Sequence, residues 1–548
     1  MSDTELLPPV AHTYPQGCTF ATPADIAGKH ITVMGLGLNG GGEAAVRFLV
    51  RQGAFVTVTD MKSEEQLAPT LASLRDDSTL DQGRIRYVLG EHRLEDFSGA
   101  DCVIKNPGVK YDGNKFLAAA RAIETDISLF LHFTQAPIIA VTGSKGKSST
   151  VSAIYYGLKQ AGFTAFLGGN ITVSPLTFLD QTDRTTPVVL ELSSWQLADL
   201  RGRKLLKPKI SVITKIVPDH QNFYHSMLAY VADKKLIYAD QTKSDYTILD
   251  FDDDESADGG TLIANWGNIF AKETRGTVLR YSKKKLPAGV YGVWQDSKGN
   301  GLCRLPPMVS GAADGKAVDG KAGERGDDCG QETVLKSLIV PGKHMRLNVL
   351  NAALVLRLMG VTAERCIEVL GNWSGIEHRL EFFHEWVLPV SGEAHQAKAG
   401  EPEEKALRLR FYNDSAATVP EAAAEATQAF GEPVIFITGG TDKGLDLSPI
   451  AHTLANPLAI APSATYLLAG SATDKMLTDF EARGIRYKGV YASLEELLTA
   501  LKAHVEARRG AFGVKNVVFS PGATSFGMFT NEFDRGRKFK QAVKEIFC

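Results

Sequence analysis

One run of residues constrains this chain more than any other: Ile138-Ile-Ala-Val-Thr-Gly-Ser-Lys-Gly-Lys-Ser-Ser-Thr150, an apolar stretch ending in glycines, lysines and hydroxyls. The β-branched content from Pro137 to Thr142 predicts a buried parallel strand, and the spacing from Ser149 to Gln160 predicts a helix that stops at Gly162. The loop between them, Gly143, Ser144, Lys145, Gly146, Lys147, Ser148 and Ser149, therefore opens a helix, where backbone N–H groups and the positive end of the helix dipole can cradle phosphate. In that reading Lys147 reaches the β- and γ-phosphates of a nucleotide and Ser148 ligates Mg2+. The plain alternative is a tight turn whose glycines serve packing. Gly-Lys-Ser between a strand and a helix favours the phosphate site. Val141 stands five residues before Gly146, where the general phosphate loop has glycine, so this is not the loop of an ordinary ATPase or GTPase.

At 548 residues the chain is too long for one core, and three domains are expected. A net charge of −3 gives no electrostatic case for nucleic acid or anionic membrane as a partner. No run approaches the roughly 18 apolar residues of a membrane span, and the N-terminus lacks the basic and apolar regions of a signal peptide. A cytoplasmic location is the expectation. The cysteines are scattered without a C-x-x-C pair, which indicates neither a zinc site nor a disulfide framework.

Before the phosphate loop, a strand at Ile31–Met34 runs into Gly35-Leu-Gly37-Leu-Asn-Gly40, then a helix and a second strand ending at Asp60. A G-x-G-x-x-G turn followed by an acidic residue 20 positions on is the arrangement of a dinucleotide-binding βαβ unit. The same geometry serves nicotinamide dinucleotide or any pyrophosphate with a ribose or uracil, so both remain open. After the loop, Gly168-Gly-Asn-Ile171 ends a strand, where Asn170 can bond a sugar or phosphate or simply sit in a glycine turn. A further buried strand, Pro187–Leu190, delivers Glu191-Leu-Ser-Ser-Trp-Gln196 at the edge where ligands of open α/β sheets gather. An unpaired carboxylate there is costly if buried but can hold Mg2+ against phosphates. Ser193 and Gln196 would face the acceptor substrate. The strand Ile210–Val217 ends in Pro218-Asp-His220, repeating the position of Glu191 on another strand. Residues 305–332 shift to Gly, Asp, Ala and Lys without periodicity and are expected to form a mobile insertion; Ser391 to Lys405 reads as an extended hairpin tip.

Thr142-Gly-Ser-Lys-Gly-Lys-Ser148 resembles the ATP loop of the Mur ligase family, the amide-forming enzymes that build the peptidoglycan stem peptide. Other motifs follow in family order. Asp219-His220 resembles the family's Asp-His, whose imidazole binds a second Mg2+. Tyr230-Val-Ala-Asp-Lys234 resembles the helix with its carbamylated lysine, Lys235 being the other register. Gly342-Lys-His-Met-Arg-Leu-Asn348 resembles the segment beside the adenine, with Met345 replacing one Asn. Gly375-Ile-Glu-His-Arg379 resembles the hinge whose Arg meets the γ-phosphate. Asn413-Asp414-Ser-Ala-Ala-Thr418 matches at Asp414 and Thr418, while Ala416 replaces a lysine associated with the incoming amino acid. Thr438-Gly-Gly-Thr-Asp-Lys443 and Ser520-Pro-Gly-Ala-Thr-Ser525-Phe526, with Arg535-Gly536, resemble the D-glutamate-adding branch.

The resemblance implies an α/β chain of three domains. Residues 1–135 form a Rossmann-like domain binding the uridine diphosphate through Leu38, Asn39, Gly40 and Asp60. Residues 136–375 form a central mononucleotide-binding, parallel-sheet domain for ATP and two Mg2+, and residues 376–548 a Rossmann-like domain for the amino acid. It implies catalytic roles for Lys147, His220, Lys234 and Arg379, and Ser148, Glu191, His220 and Lys234 near metal. ATP would touch residues 143–149, Asn348, Arg379 and Asp414; glutamate would meet Thr418, Lys443, Ser525 and Phe526. The implied substrates are UDP-N-acetylmuramoyl-L-alanine and glutamate, joined by a monomer in a step that serves cell-wall biogenesis, cell shape and division. Two alternatives stand beside this: addition of L-glutamate, motivated by Ala416, and a nicotinamide-dependent oxidoreductase built on the first domain.

Overall fold

The computed structural model describes residues 17–224, 226–252, 265–307, 330–389, 406–507 and 512–548. The chain forms two compact units, Met1–Lys336 with Leu347–Leu370, and Ser337–Arg346 with Gly371–Cys548. The hairpin tip expected at 391–405 lies outside the described residues, as does most of the insertion expected at 305–332.

The first unit holds two sheets. Strands β1 (His30–Met34), β2 (Phe55–Asp60), β3 (Ile85–Leu89), β4 (Cys102–Lys105) and β5 (Ile123–Glu124) form a parallel sheet in the order β3-β2-β1-β4-β5. The crossover back past β1 opens a crevice at its carboxyl edge, where the Gly35–Gly40 turn sits. The second sheet takes β6 (Ile138–Thr142), β7 (Phe166–Gly169), β8 (Val188–Glu191), β9 (Ile210–Ile213), β10 (Tyr246–Asp250), β11 (Thr277–Ser282), β12 (Gly292–Gln295), β13 (Gly301–Arg304) and β14 (Gln331–Leu335). Their order is β14-β13-β12-β11-β10-β9-β6-β8-β7. It is parallel from β7 to β12; β13 and β14 add an antiparallel edge that the sequence reading did not foresee.

Three boundaries differ from expectation. The helix after the phosphate loop begins at Lys147, two residues early, because Gly146 adopts φ 92° and turns the chain straight into it. Strand β9 ends at Ile213 rather than Val217, since the carbonyl of Lys215 turns to accept from the N–H groups of Ser144 (2.8 Å) and Lys145 (3.2 Å). Ordered pairing resumes at Gln331, where Arg304 and Gln331 are register partners and the Arg357 guanidinium holds Glu332 at 2.6 Å, so the two ends of the expected insertion belong to a strand pair.

One apolar core runs through both sheets of this unit, joining Ile127 and Phe130 to Leu176 and Phe178. Two buried ion pairs cross the same seam. Lys105 Nζ lies 3.0 Å from Asp199, and Arg203 holds Glu124. Burial pushes the Asp199 carboxyl up to about 7 against the pull of Lys105, and burial lowers the Lys105 ammonium.

The second unit carries β15 (Glu381–Pro389), β16 (Ala406–Asn413), β17 (Ile435–Gly439), β18 (Ala464–Leu468), β19 (Val490–Tyr491) and β20 (Gly513–Phe519), ordered β15-β16-β20-β17-β18-β19. Only the β15–β16 pair is antiparallel. Alternation along β16 sends Leu409 and Phe411 to one core and Tyr412 to the other. Residues 337–346 and 371–375, assigned to the central domain from sequence, belong to this unit. Among the described residues no helix is long and apolar enough to cross a membrane.

Replacing Lys105 by Met leaves Asp199 in the seam without its partner, so that it must take up a proton or stay charged and unpaired, and should cost about 3–5 kcal/mol in urea unfolding at pH 8. The double variant Lys105→Met with Asp199→Leu should recover much of that loss, and a single variant as stable as wild type would refute the assignment.

Candidate active site

The strand order fixes the centre of the site. With β6 between β8 and β9, and Val141 opposite Glu191 and Thr142 opposite Ile213, three strand ends deliver the loop, a carboxylate and the path to His220 to one edge. Gly143 (φ 146°) and Gly146 (φ 92°) adopt backbone angles that favour glycine. A Cβ on Gly143 would stand 2.0 Å from Thr214 Oγ1, and one on Gly146 would stand 2.4 Å from Asn348 Oδ1. Asn348 therefore lies against the loop.

Lys147 Nζ donates to the carbonyls of Gly143 (3.0 Å) and Ser144 (3.2 Å), and burial lowers its pKa. Lys234 is almost wholly buried, and its Nζ donates to the same Gly143 carbonyl at 2.8 Å while lying 4.6 Å from the Tyr230 ring centroid. Burial, then the neighbouring Lys147, bring its pKa down to about 7. Lys235 instead pairs with Glu273 at 3.2 Å, which separates the two registers that the sequence left open. Ser144 is held in the framework: its hydroxyl donates to Val217 (2.8 Å) and accepts from Tyr230 (3.0 Å), and its N–H serves Lys215. The N–H groups of Ser144 and Lys145 thus brace the loop, a correction to their expected part in holding phosphate. The first N–H groups of the helix, at Lys147, Ser148 and Ser149, are the ones that helix geometry leaves without an intrahelical acceptor.

Glu191 is buried; Oε1 accepts from Asn170 Nδ2 at 2.9 Å, and Oε2 has no hydrogen-bond partner among the described residues. An orphaned carboxylate oxygen beside a phosphate loop fits a hard divalent cation. His220 is half exposed, with φ 52°, and its ring packs 5.2 Å from Trp195 and 6.3 Å from Tyr230. Such backbone strain costs on the order of 1–3 kcal/mol and is kept where the surroundings over-determine it.

Asn39, Asn170, Ser193 and Gln196 line one cavity of about 340 Å3 at the carboxyl edges of both sheets. Gly40 caps the helix Gly41–Arg51 with φ 82°, and Leu38 is exposed beside it. Asp60 is turned inward, its carboxylate accepting from the N–H groups of Gly37 (3.0 Å) and Lys62 (2.9 Å). It braces the glycine turn, where the sequence reading placed it near uracil.

The second unit gathers its own cluster at the carboxyl ends of β16, β17 and β20. Lys443 Nζ donates to Thr418 Oγ1 at 3.3 Å; Ser525 is buried and Phe526 exposed. Asp414 accepts from Leu380 N (3.1 Å) and Ser520 Oγ (2.6 Å), and burial pushes it up to about 7. Arg379 is exposed between His378 (φ 64°) and Leu380 (φ 45°). Sequence reasoning gave Arg535 no task, yet its buried guanidinium donates to Ser415 O (2.9 Å), Ala523 O and Thr524 O (3.0 Å each), tying the loops of Thr418 and Ser525 together. Its place in the Arg-Gly pair was the available signal.

A nucleotide-phosphate loop with a carboxylate and an imidazole on flanking strands, behind a first Rossmann-like sheet, defines a class, and the comparisons agree with it. The family model for the Mur ligase middle domain matches residues 141–285, and that for the Mur ligase MurD-like N-terminal domain matches residues 29–128. The UDP-N-acetylmuramoylalanine–D-glutamate ligase of Treponema pallidum is 40% identical, covering 95% of this chain and 98% of that protein. The ligase of the same name from Borreliella burgdorferi is 34% identical over 95% and 99%. A solved UDP-N-acetylmuramate-alanine ligase from Thermotoga maritima aligns over 94% of this chain at 17% identity with a TM-score of 0.48. The chain belongs to the Mur ligase family.

The lowered Lys234 pKa sets a pH dependence. The unfolded chain keeps this proton up to about 10.5, whereas the folded chain releases it near 7, so stability rises with pH across that window. In CO2-free buffer the unfolding free energy of wild type relative to Lys234→Met should increase from pH 7 to 10; a flat difference would contradict the assignment.

Proposed function

We infer that this chain is an ATP-dependent ligase that joins the alanyl carboxylate of UDP-N-acetylmuramoyl-L-alanine to the amine of D-glutamate, a step in making the peptidoglycan precursor. The observation that carries this is the meeting of Lys147 and Lys234 on the Gly143 carbonyl, at the strand edge where Glu191 has an orphaned oxygen. The names of the relatives favour D- over L-glutamate despite Ala416, and neither the L-glutamate nor the nicotinamide reading is retained.

In this reading the alanyl carboxylate attacks the γ-phosphorus of ATP, ADP leaves, and an acyl phosphate results. The glutamate amine then adds to the acyl carbon, and the tetrahedral intermediate loses phosphate and a proton to give the amide. Lys147 moves its ammonium from the loop carbonyls to phosphate oxygens, and Arg379 meets the γ-phosphate, both countering charge that develops on transfer. Asn348 and Asp414 would flank the rest of ATP. Glu191, Ser148 and His220 would hold two Mg2+, which neutralise phosphate charge when bound. A neutral Lys234 amine can add to CO2, forming an N–C bond and releasing a proton, and the resulting carbamate turns a repelling cation into an anion beside the same site. Lys443, Thr418, Ser525 and Phe526 would receive the glutamate carboxylates. With ATP and a sugar nucleotide as substrates, the reaction belongs in the cytoplasm, and one copy of the chain carries every group named.

Phosphate release in the presence of ATP, Mg2+ and UDP-N-acetylmuramoyl-L-alanine should require D-glutamate; an equal or greater rate with L-glutamate would overturn the reading. Lys147→Met should lower kcat by about a thousandfold with the fold intact by circular dichroism.

A further inference from the structure

Arg379, to which the reaction above gives the γ-phosphate, stands in the chain between two acids, Glu377 and Glu381, each two residues away. An arginine so flanked has a carboxylate at hand on either side, and pairing with one would neutralise its charge before any ligand arrives. Yet its side chain is exposed and makes no ion pair among the described residues. Both acids are held by a third group: Lys540 Nζ donates to Glu377 Oε1 at 2.8 Å and to Glu381 Oε1 at 2.9 Å. Asp414, which also feels the Arg379 charge, is already engaged with the Leu380 N–H and the Ser520 hydroxyl.

The helix Glu532–Ile546 brings Lys540 to this place. Arg535 anchors its first turn on the carbonyls of Ser415, Ala523 and Thr524, and Gly536 lets the helix touch the segment, because a Cβ there would stand 2.2 Å from His378 Nδ1. Lys540 follows Gly536 by four residues, one turn along the same face. The segment is pinned from other sides as well. The His378 N–H donates to Glu381 Oε2 at 3.0 Å, Asn413 Nδ2 donates to His378 Nδ1 at 2.8 Å, and the Ala416 N–H donates to His378 O at 3.0 Å. These contacts sustain the positive φ of His378 and Leu380 on either side of Arg379.

Folding stability gives Lys540 little reason to be there. Glu377 is mostly in water, and an ion pair with one partner so placed adds little to the fold. The Lys540 ammonium holds the Glu377 carboxyl below its usual range, so that acid is charged at neutral pH and draws a cation.

We propose that Lys540 is a positioning residue for phosphoryl transfer: by holding Glu377 and Glu381 it keeps the Arg379 guanidinium unpaired and available to an anionic ligand. This rests on the reading that Arg379 meets the γ-phosphate of ATP. Lysine suits the task, since a compact ammonium with three donors can divide itself between two carboxylates. Its removal leaves two acids with Arg379 as the cation between them in the chain.

The test is steady-state phosphate release by the full-length protein with ATP, Mg2+, UDP-N-acetylmuramoyl-L-alanine and D-glutamate. Lys540→Met should lower kcat roughly tenfold, with KM for the sugar nucleotide and for glutamate unchanged and the melting temperature unmoved. Lys540→Arg should keep the rate. Adding Glu377→Gln and Glu381→Gln to Lys540→Met should restore it, because no carboxylate is then left to capture Arg379. In an Arg379→Ala background, itself slower by about a hundredfold, Lys540→Met should change nothing further. If Lys540→Met does not fold, Lys540→Gln serves in the same comparisons. A wild-type rate in the Lys540 variant, no recovery in the triple variant, or a loss that adds to that of Arg379→Ala overturns the inference and leaves the ligase reading standing. Full kcat in Arg379→Ala overturns the placement of Arg379 and the inference with it, and wild type that releases no phosphate overturns the ligase reading itself.

Discussion

A single carbonyl oxygen organises the active edge of the first unit. Gly143 O accepts from Lys147 Nζ at 3.0 Å and from Lys234 Nζ at 2.8 Å, which brings two potential ammonium charges together in a place largely closed to water. Like charges about 6 Å apart repel by roughly 3 kcal/mol at an effective dielectric of about 20, and burial adds to the penalty. Burial, then the neighbouring Lys147, bring Lys234 down to about 7, and burial lowers Lys147 as well. Near neutral pH Lys234 is thereby available as a neutral amine.

That arrangement depends on the loop being rigid before any ligand arrives. The N–H groups of Ser144 and Lys145 on Lys215 O, the Ser144 hydroxyl between Val217 and Tyr230, and Asn348 against Gly146 hold it from several sides. In the next turn the N–H groups of Lys147, Ser148 and Ser149 are the ones that helix geometry leaves without an intrahelical acceptor. Two buried ion pairs and a shared apolar core bind the first sheet to the second, so the cavity lined by Asn39 from one and by Asn170, Ser193 and Gln196 from the other has a fixed shape. Preorganised donors and charges of this kind favour a developing transition state because little reorganises at the moment of reaction.

Much of this was legible in the chain. Strand–loop–helix periodicity located the phosphate loop within two residues, since the buried strand is apolar throughout and the loop needs glycine angles. Glu191 stood out in the chain because a carboxylate closing an apolar strand is costly when left unpaired. The brace that Asp60 gives to the N–H groups of Gly37 and Lys62 was not legible, because its spacing from the glycine turn is the same whether it reaches a ligand or the turn itself. Strand β9 was read too long because Lys215 to Val217 continue its β-branched pattern, and only the pull of Ser144 and Lys145 ends it. Arg535 escaped because its acceptors are carbonyls, which leave no mark in the sequence.

The sequence by itself determined the family, the three-sheet α/β architecture and most of the chemical groups, because periodicity and glycine placement are local properties written along the chain. Tertiary structure alone decided which of two adjacent lysines faces the loop, which polar atoms are already satisfied and which, like Glu191 Oε2, are not. Those outcomes turn on burial and on partners remote in the chain, and neither is encoded by any single stretch of residues.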